Sequence, residues 1–458
     1  MILVSFIRDG IVTCIMEICA VGGYNEVGRN MTAVRIDGQV IILDMGFHLP
    51  NLIAMQESAE EFTRVSELSL RRAGAVPDDR AIKDWHDEVA AIVVGHAHLD
   101  HLGATPYLAR KYNAPILCTP FTAEVLKSIV KSERINLENA IIEIRPSGKW
   151  KLPGSIEVEF VRVTHSTPQT VMIVLHTKQG VIAYGNDYKL DDTPTLGKPP
   201  DYARMKKLGE RGVSVLIQDC LYAREDAHCP SEKVARDELV EVMQACDPRK
   251  AMIVTTFSSH IARLKAIGQT ARKLKRQVLF MGRSMARYGW AAKDANVTDL
   301  GKLGRLVKYA RQIRAKLREV QRKGPEKYVL VVSGHQGEPQ STLAKMLDGT
   351  YAWDFREGDA VIFSSHVIPV DINQQARSEM DGKLKERGVK IYDDVHVSGH
   401  AFLKDLDHVL DLLKPKQVIP THAELETVKA FSKMAKRHGY KKGKSLHVLK
   451  EGDRITLE

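Results

Sequence analysis

Between positions 95 and 103 the chain reads Gly95-His96-Ala97-His98-Leu99-Asp100-His101-Leu102-Gly103, placing three imidazoles and a carboxylate within six residues behind the apolar run Ala90 to Val94. A strand that ends at Val94 and turns at once into a helix fans His96, His98, Asp100 and His101 around one point. Small Ala97 and Gly103 leave room there for ions. Neutral imidazole and carboxylate suit zinc, which lowers the pKa of bound water far enough to make a nucleophile at neutral pH. The competing account is a solvated polar turn in which each histidine bonds locally. A lone histidine is usually of that kind, but this density at this spacing points to metal.

A chain of 458 residues exceeds one ordinary core, so two folding units are expected, with one able to sit inside the other. Hydrophobic residues make up 44%, a globular value, and no run of about 18 uncharged apolar residues is present. A membrane span is therefore not expected. The first 18 residues carry Arg8, Asp9 and Glu17 within their apolar stretch and make a poor signal peptide, and Met16 offers a second start position. Six scattered cysteines (Cys14, Cys19, Cys118, Cys220, Cys229, Cys246) without a CxxC pair argue for reduced thiols in a cytoplasmic protein. A formal charge of +10 biases the partner towards polyanions, although many basic proteins bind no nucleic acid.

Along the chain, the strands Met31 to Ile36 and Val40 to Leu43 read as a hairpin that puts Asp44 at a strand end. Residues 51–88 are charged and helix-prone and read as a surface insertion. Short strands then flank Thr164-His165-Ser166 and lead into Gly185-Asn186-Asp187. This alternation of strands and helices, with polar residues at strand ends, describes an α/β sandwich. From about Val213 the rhythm changes to longer βα units whose continuous apolar runs suit buried parallel strands. Leu303 to Val320 reads as one amphipathic basic helix. Two further histidine motifs close the chain, His400 in Ser-Gly-His-Ala and His422 in Pro-Thr-His-Ala-Glu.

Taken in order, Asp44, His96-x-His98-x-Asp100-His101, His165 and Asp187 resemble the four motifs of the metallo-β-lactamase superfamily. Asp219, His400 and His422 resemble the three additional motifs of the β-CASP nucleases. The stretches Gly28-Arg29-Asn30-Met31, Gly282-Arg283-Ser284-Met285 and Gly337-Glu338-Pro339-Gln340-Ser341 are similar to ribonuclease J, and the likeness spans nearly the whole chain. About 36 residues follow His422, so the chain resembles a short, archaeal-type form without the extra C-terminal domain of bacterial members and without leading KH-type domains. The fold implied is a metallo-β-lactamase αββα sandwich with an inserted β-CASP α/β domain, divided as 1–210, 211–373 and 374–458.

On this resemblance, with donor chemistry in agreement, His96, His98 and His165 hold one zinc, Asp100, His101 and His422 hold another, and Asp187 bridges them. Manganese is an alternative to zinc. Asp44 orients a ligand imidazole, and His400, held by Asp219, is the candidate acid for the leaving group with Asp100 as its rival. Gly282-Arg283-Ser284, Ser333-Gly334-His335, Ser364-Ser365 and Ser398-Gly399 offer backbone amides, hydroxyls and a guanidinium for a 5′-phosphate, while ordinary turns are the competing reading. Phe47 and Tyr24 are candidates for base stacking, with simple packing the alternative. The activity implied is a two-zinc ribonuclease degrading single-stranded RNA 5′ to 3′ from monophosphate ends, with endonucleolytic cleavage also open. A homodimer and partners in RNA decay or processing are implied as well. The alternatives are a structure-specific DNA nuclease, a small ester or thioester hydrolase, and an idle RNA-processing subunit.

Overall fold

The computed structural model describes residues 16–57, 65–367 and 371–457. Cys14 and residues 58–64 of the charged stretch lie outside them. In chain order the strands are β1 (Met16–Gly22), β2 (Met31–Ile36), β3 (Gln39–Leu43), β4 (Val89–Val94), β5 (Ile116–Cys118), β6 (Ile141–Glu143), β7 (Lys149–Lys151), β8 (Glu157–Arg162), β9 (Val171–Thr177) and β10 (Gly180–Gly185). They continue as β11 (Val213–Asp219), β12 (Met252–Thr255), β13 (Gln277–Met281), β14 (Arg305–Val307), β15 (Tyr328–Val332), β16 (Ala360–Phe363), β17 (Lys390–Tyr392), β18 (Gln417–Thr421) and β19 (Arg454–Leu457). Three sheets result, in the orders β19-β1-β2-β3-β4-β5-β6, β18-β11-β10-β9-β8-β7 and β14-β13-β15-β12-β16-β17.

The first two sheets face each other because their strands alternate. In β4, Ala91 and Val93 point into the layer shared with Phe160, Ile173 and Ile217 of the second sheet. Val89, Ile92 and Val94 point the other way, against helix Pro120–Glu133. Each Val, Ile or Phe side chain buried in this way contributes about 1.5–3 kcal/mol. The outer face of the second sheet is covered by helices Tyr202–Arg211, Leu403–Leu413 and Leu425–Arg437. The chain thus forms an αββα sandwich, with a third sheet in a further α/β unit inserted into it.

The third sheet is wholly parallel and is buried on both faces, as its continuous apolar runs required. Two neighbouring connections join it to the sandwich: Tyr222 bridges Phe402, Leu403 donates its N–H to the Glu225 carbonyl, and Ala401 donates to that of Tyr188. Strand β11 pairs in parallel with β10 and β18 in the second sheet, and β17 pairs with β16 in the third. Sheet membership therefore differs from the division at 210 and 373. We propose that the inserted unit runs from about residue 220 to 397, between the end of β11 and the His400 loop.

Two local expectations give way. The expected helix Leu303 to Val320 is instead edge strand β14 followed by helix Ala310–Lys323, because Gly304 presses against β13: a Cβ there would come 2.7 Å from the Val278 carbonyl. Residues 51–88 are not simply a surface insertion, since Leu70, Ile82 and Trp85 are buried in the sandwich's outer core. The five described cysteines are free and buried, and no described helix is long and apolar enough to cross a membrane.

One buried ion cluster ties the outer strands of the second sheet to helix Tyr202–Arg211. Glu159 on β8 accepts from Arg204 Nε and Nη2 at 2.6 Å each and lies 2.6 Å from His176 Nε2. Burial acts to raise the Glu159 carboxyl, but the bonds from His176 and Arg204 outweigh it and hold the pKa at about 2. Its stabilising contribution is complete above the ordinary value of 4.5 and is lost as pH falls towards 2. Glu159→Gln should therefore cost roughly 2–3 kcal/mol in denaturant unfolding at neutral pH. The gap between the two proteins should close as the pH is lowered through that window.

Candidate metal centre

The centre is assembled at the carboxyl ends of strands from both sandwich sheets. Asp44 follows β3, His96 follows β4, Asp187 follows β10 and His422 follows β18. The histidine loop is held by backbone pairing with the turn after β3 and the turn before β2: Met45 donates to the His101 carbonyl, Phe47 to that of Leu99, and Asn30 to that of Asp100. Only glycine fits at position 46, because a Cβ would fall 1.5 Å from the Asp100 carbonyl oxygen.

Two groups of donors converge. His96, His98, His165 and Asp187 form one, and Asp100, His101, Asp187 and His422 form the other, with ligand atoms in each within 4.8 Å of one another. Asp187 belongs to both: its Oδ2 is 3.3 Å from His96 Nε2 and 3.5 Å from His165 Nε2, and its Oδ1 is 3.1 Å from His101 Nε2 and 3.6 Å from His422 Nε2. Both ring nitrogens of His96 and the Oδ1 of Asp187 are buried without a hydrogen-bond partner. Such atoms are costly unless something outside the chain satisfies them, and a cation among these donors does so.

Protonation in the first group agrees with that fit. Burial lowers His96 to about 4 and holds His165 well below its ordinary value, so both rings are neutral near pH 7. Burial opposes charge on Asp187, but His101, His422 and His400 outweigh it and keep the carboxyl ionised. Neutral imidazoles and an ionised carboxylate are the forms that bind metal. In the second group, burial opposes charge on His101, but Asp187, Asp100 and Asp44 outweigh it and raise the ring well above its ordinary value, so a cation bound there displaces its proton. The cluster is able to hold metal.

The outer nitrogens of most ligand rings are occupied in ways that aim the inner ones at Asp187. His101 Nδ1 lies 2.8 Å from Asp44 Oδ2, and Asp44 also accepts from Gly95 N–H and the Tyr184 hydroxyl. His165 Nδ1 donates to the Gly399 carbonyl at 2.6 Å. His422 Nδ1 is 3.0 Å from Asn30 Oδ1, whose Nδ2 is 3.0 Å from His101 Nε2. His98 Nε2 meets Ser259 Oγ at 3.1 Å and Ser166 Oγ at 3.3 Å. Asn30, Ser166, Ser259 and Tyr184 were missed as site residues. Asn30 stood inside a quoted family motif and Ser166 beside His165, whereas Ser259 carried no signal because it comes from the loop after β12 in the inserted sheet.

His400 lies at the mouth of the cluster, stacked on His422 with centroids 5.7 Å apart. Its Nδ1 is 2.8 Å from Asp219 Oδ2, and its Nε2 is 3.8 Å from Asp187 Oδ2. Burial lowers its pKa, but the charges of Asp187 and Asp219 outweigh that and raise it to about 9.

The residues expected around a 5′-phosphate separate into two sets. His335 is buried with both ring nitrogens unpartnered, as are Ser365 Oγ and His396 Nδ1, and Phe257 joins the two rings with centroids 4.2 Å from His335 and 6.4 Å from His396. Arg283 and Ser284 lie exposed at the start of the helix after β13. Other hydroxyls are already used: Ser333 Oγ accepts from Thr342 N–H, Ser364 Oγ bonds the Val395 carbonyl and Arg263, and Ser398 Oγ accepts from His400 N–H. Gly334, at φ +130°, turns the chain into His335, and Gly399 gives its carbonyl to His165. Phe47 is 6% exposed, packed against Tyr107 and beneath Gly103, and Tyr24 is buried with its hydroxyl on Thr32. Neither ring has an open face for a base.

The fold and the donor set define a metallo-β-lactamase-type protein carrying a β-CASP insertion, and family comparison agrees. Residues 70–254 match the beta-lactamase superfamily domain, 249–379 the beta-CASP domain of ribonuclease J, and 388–445 the Zn-dependent metallo-hydrolase RNA specificity domain. Ribonuclease J of Methanocaldococcus jannaschii is 39% identical over 445 residues, covering 97% of this chain and 99% of that one. That of Pyrococcus abyssi is 38% identical, covering 96% and 97%. A solved Enterococcus faecalis structure, of a protein of unknown function, shares the fold at 18% identity, with a TM-score of 0.61 over 97% of this chain and 100% of that one. The chain belongs to the ribonuclease J family.

Asn30 holds two ligand rings without being a donor in either group. Asn30→Ala should leave the fold intact and weaken metal affinity about 10- to 100-fold, measured by competition with a chromogenic chelator.

Proposed function

We propose that the chain is a metal-dependent ribonuclease that holds two divalent ions, zinc with manganese able to replace it. On this reading it hydrolyses single-stranded RNA from the 5′ end, prefers 5′-monophosphate, and can also cut internally. The observation that carries this is the pair of four-donor groups sharing Asp187, with His400 and Asp219 beside them. Ions held by His96, His98, His165 and Asp187 and by Asp100, His101, Asp187 and His422 would lower the pKa of bound water far enough to give hydroxide as the nucleophile at neutral pH and would neutralise charge on the phosphate oxygens.

The chain's own residues supply the rest. Asp44, Asn30 and the Gly399 carbonyl keep His101, His422 and His165 aimed inward. His400, protonated and held through Nδ1 by Asp219, presents Nε2–H towards the centre, where it can give a proton to the departing ribose oxygen. Asp100 is a poor rival because the neighbouring imidazoles, His101 foremost, outweigh its burial and lower its pKa, leaving it without a proton to give. The unpartnered His335, Ser365 and His396 atoms, at the carboxyl ends of the inserted strands, suit a terminal phosphate held while the next bond reaches the metals. The role in the cell would be RNA decay or processing, in the cytoplasm, as a homodimer.

The test is digestion of 5′-labelled RNA and DNA side by side, with monophosphate, triphosphate and hydroxyl ends. The expected result is a labelled mononucleotide released fastest from 5′-monophosphate RNA. DNA cut equally well would favour a nuclease of the same clan with another substrate. In the same assay His400→Ala should keep its metals and lose roughly 10²–10⁴ in rate, much of it recovered on a substrate with an activated leaving group.

A further inference from the structure

The parallel inserted sheet has one carboxyl edge, and the loops leaving it form a continuous ledge. Ser259, after β12, touches His98 of the metal centre. At the far end of the ledge, β14 delivers Lys308 and Tyr309. Three strand spacings separate β14 from β12, about 14 Å at ~4.8 Å each. Between them runs helix Arg283–Asp294, fixed to the histidine loop by the Tyr288 hydroxyl, which donates to the Ala97 carbonyl at 3.1 Å.

At this far end two large rings face solvent. Trp290 is 41% exposed and Tyr309 57%. The Lys308 ammonium sits between them, 5.3 Å from the Trp290 ring centroid and 5.2 Å from that of Tyr309. Single exposed apolar residues need no explanation, but two rings joined by one cation form an assembled surface. The surrounding charge is mainly positive: Arg283, Arg305 and Arg311 are exposed, and among the described residues neither they nor Lys308 forms an ion pair with a carboxylate. Of the acids nearest in sequence, Asp299 pairs with Lys293 and Glu319 with Lys316 and Lys323, while exposed Asp294 forms no ion pair among the described residues.

Exposed rings interleaved with unpaired cations match a strand whose bases stack and whose phosphates are neutralised. A duplex offers no free base faces, and a protein partner would meet more charge than apolar surface. We propose that Trp290, Lys308 and Tyr309 form a stacking platform for single-stranded RNA outside the metal cleft, so that strands long enough to reach it bind more tightly. This rests on the ribonuclease reading and adds a second contact to it.

The test uses the intact metal-loaded protein and phosphorothioate-linked, cleavage-resistant RNAs of about 4 and about 16 nucleotides, with binding read by fluorescence anisotropy. The wild type should bind the longer RNA more tightly. Trp290→Ala/Tyr309→Ala should lose roughly 10- to 100-fold on the longer strand and leave the shorter one unchanged. Lys308→Gln should lessen the salt dependence by about one phosphate contact. A double variant that folds and keeps the full length advantage overturns the platform. So does a double variant that keeps RNA binding but changes sedimentation mass, which would assign the rings to self-association. A wild type that neither binds nor cleaves RNA would instead overturn the ribonuclease reading, so the two failures are distinguishable.

Discussion

A fully buried carboxylate, Asp187, is the constraint on which the rest depends. Isolated in a protein interior, an ionised carboxyl is costly, and it is tolerated where several positive or polarisable groups meet it. Here five imidazoles, those of His96, His98, His101, His165 and His422, belong to its two donor groups, with His400 at the edge. The five come from three separate stretches of chain and Asp187 from a fourth, so the two sandwich sheets must be packed in register before the cluster exists. Burying alternate residues of β4 and β10 against each other aligns the strand ends and thereby places the donors.

The inserted sheet contributes at the same edge. Its loops supply Ser259 to His98 and, by way of buried Arg263, tie Glu232, Ser364 and the Val395 carbonyl together just ahead of the His400 loop. Arg263 is entirely enclosed and makes a two-point contact with Glu232 at 2.8 Å each. The position of His400 therefore depends on both units.

Much of this was legible in the chain, and the reason is local spacing. The histidine loop, the strand-end Asp44 and Asp187, and the parallel character of the inserted strands are all encoded within a few residues of one another. What escaped depended on contacts between distant segments. Asn30 gains its role from His422, nearly the whole chain away, and Ser259 from a loop in another sheet. Leu303 to Val320 carries a helical repeat of apolar residues, but close approach of Gly304 to β13 turns its first part into a strand. Phe47 sits beside site residues in sequence, yet Gly103 and Tyr107 cover its ring. Composition could not separate an unpartnered hydroxyl, that of Ser365, from one already committed, that of Ser364.

In the proposed mechanism Asp187 joins two metal positions into one catalytic unit. The most direct measurement is metal content by mass spectrometry of the purified protein and of Asp187→Ala, paired with cleavage of 5′-monophosphate RNA. Two ions per wild-type chain, loss of at least one from the variant, and loss of turnover with the fold preserved are expected. A folded variant that keeps two ions and cleaves RNA at the wild-type rate would contradict it.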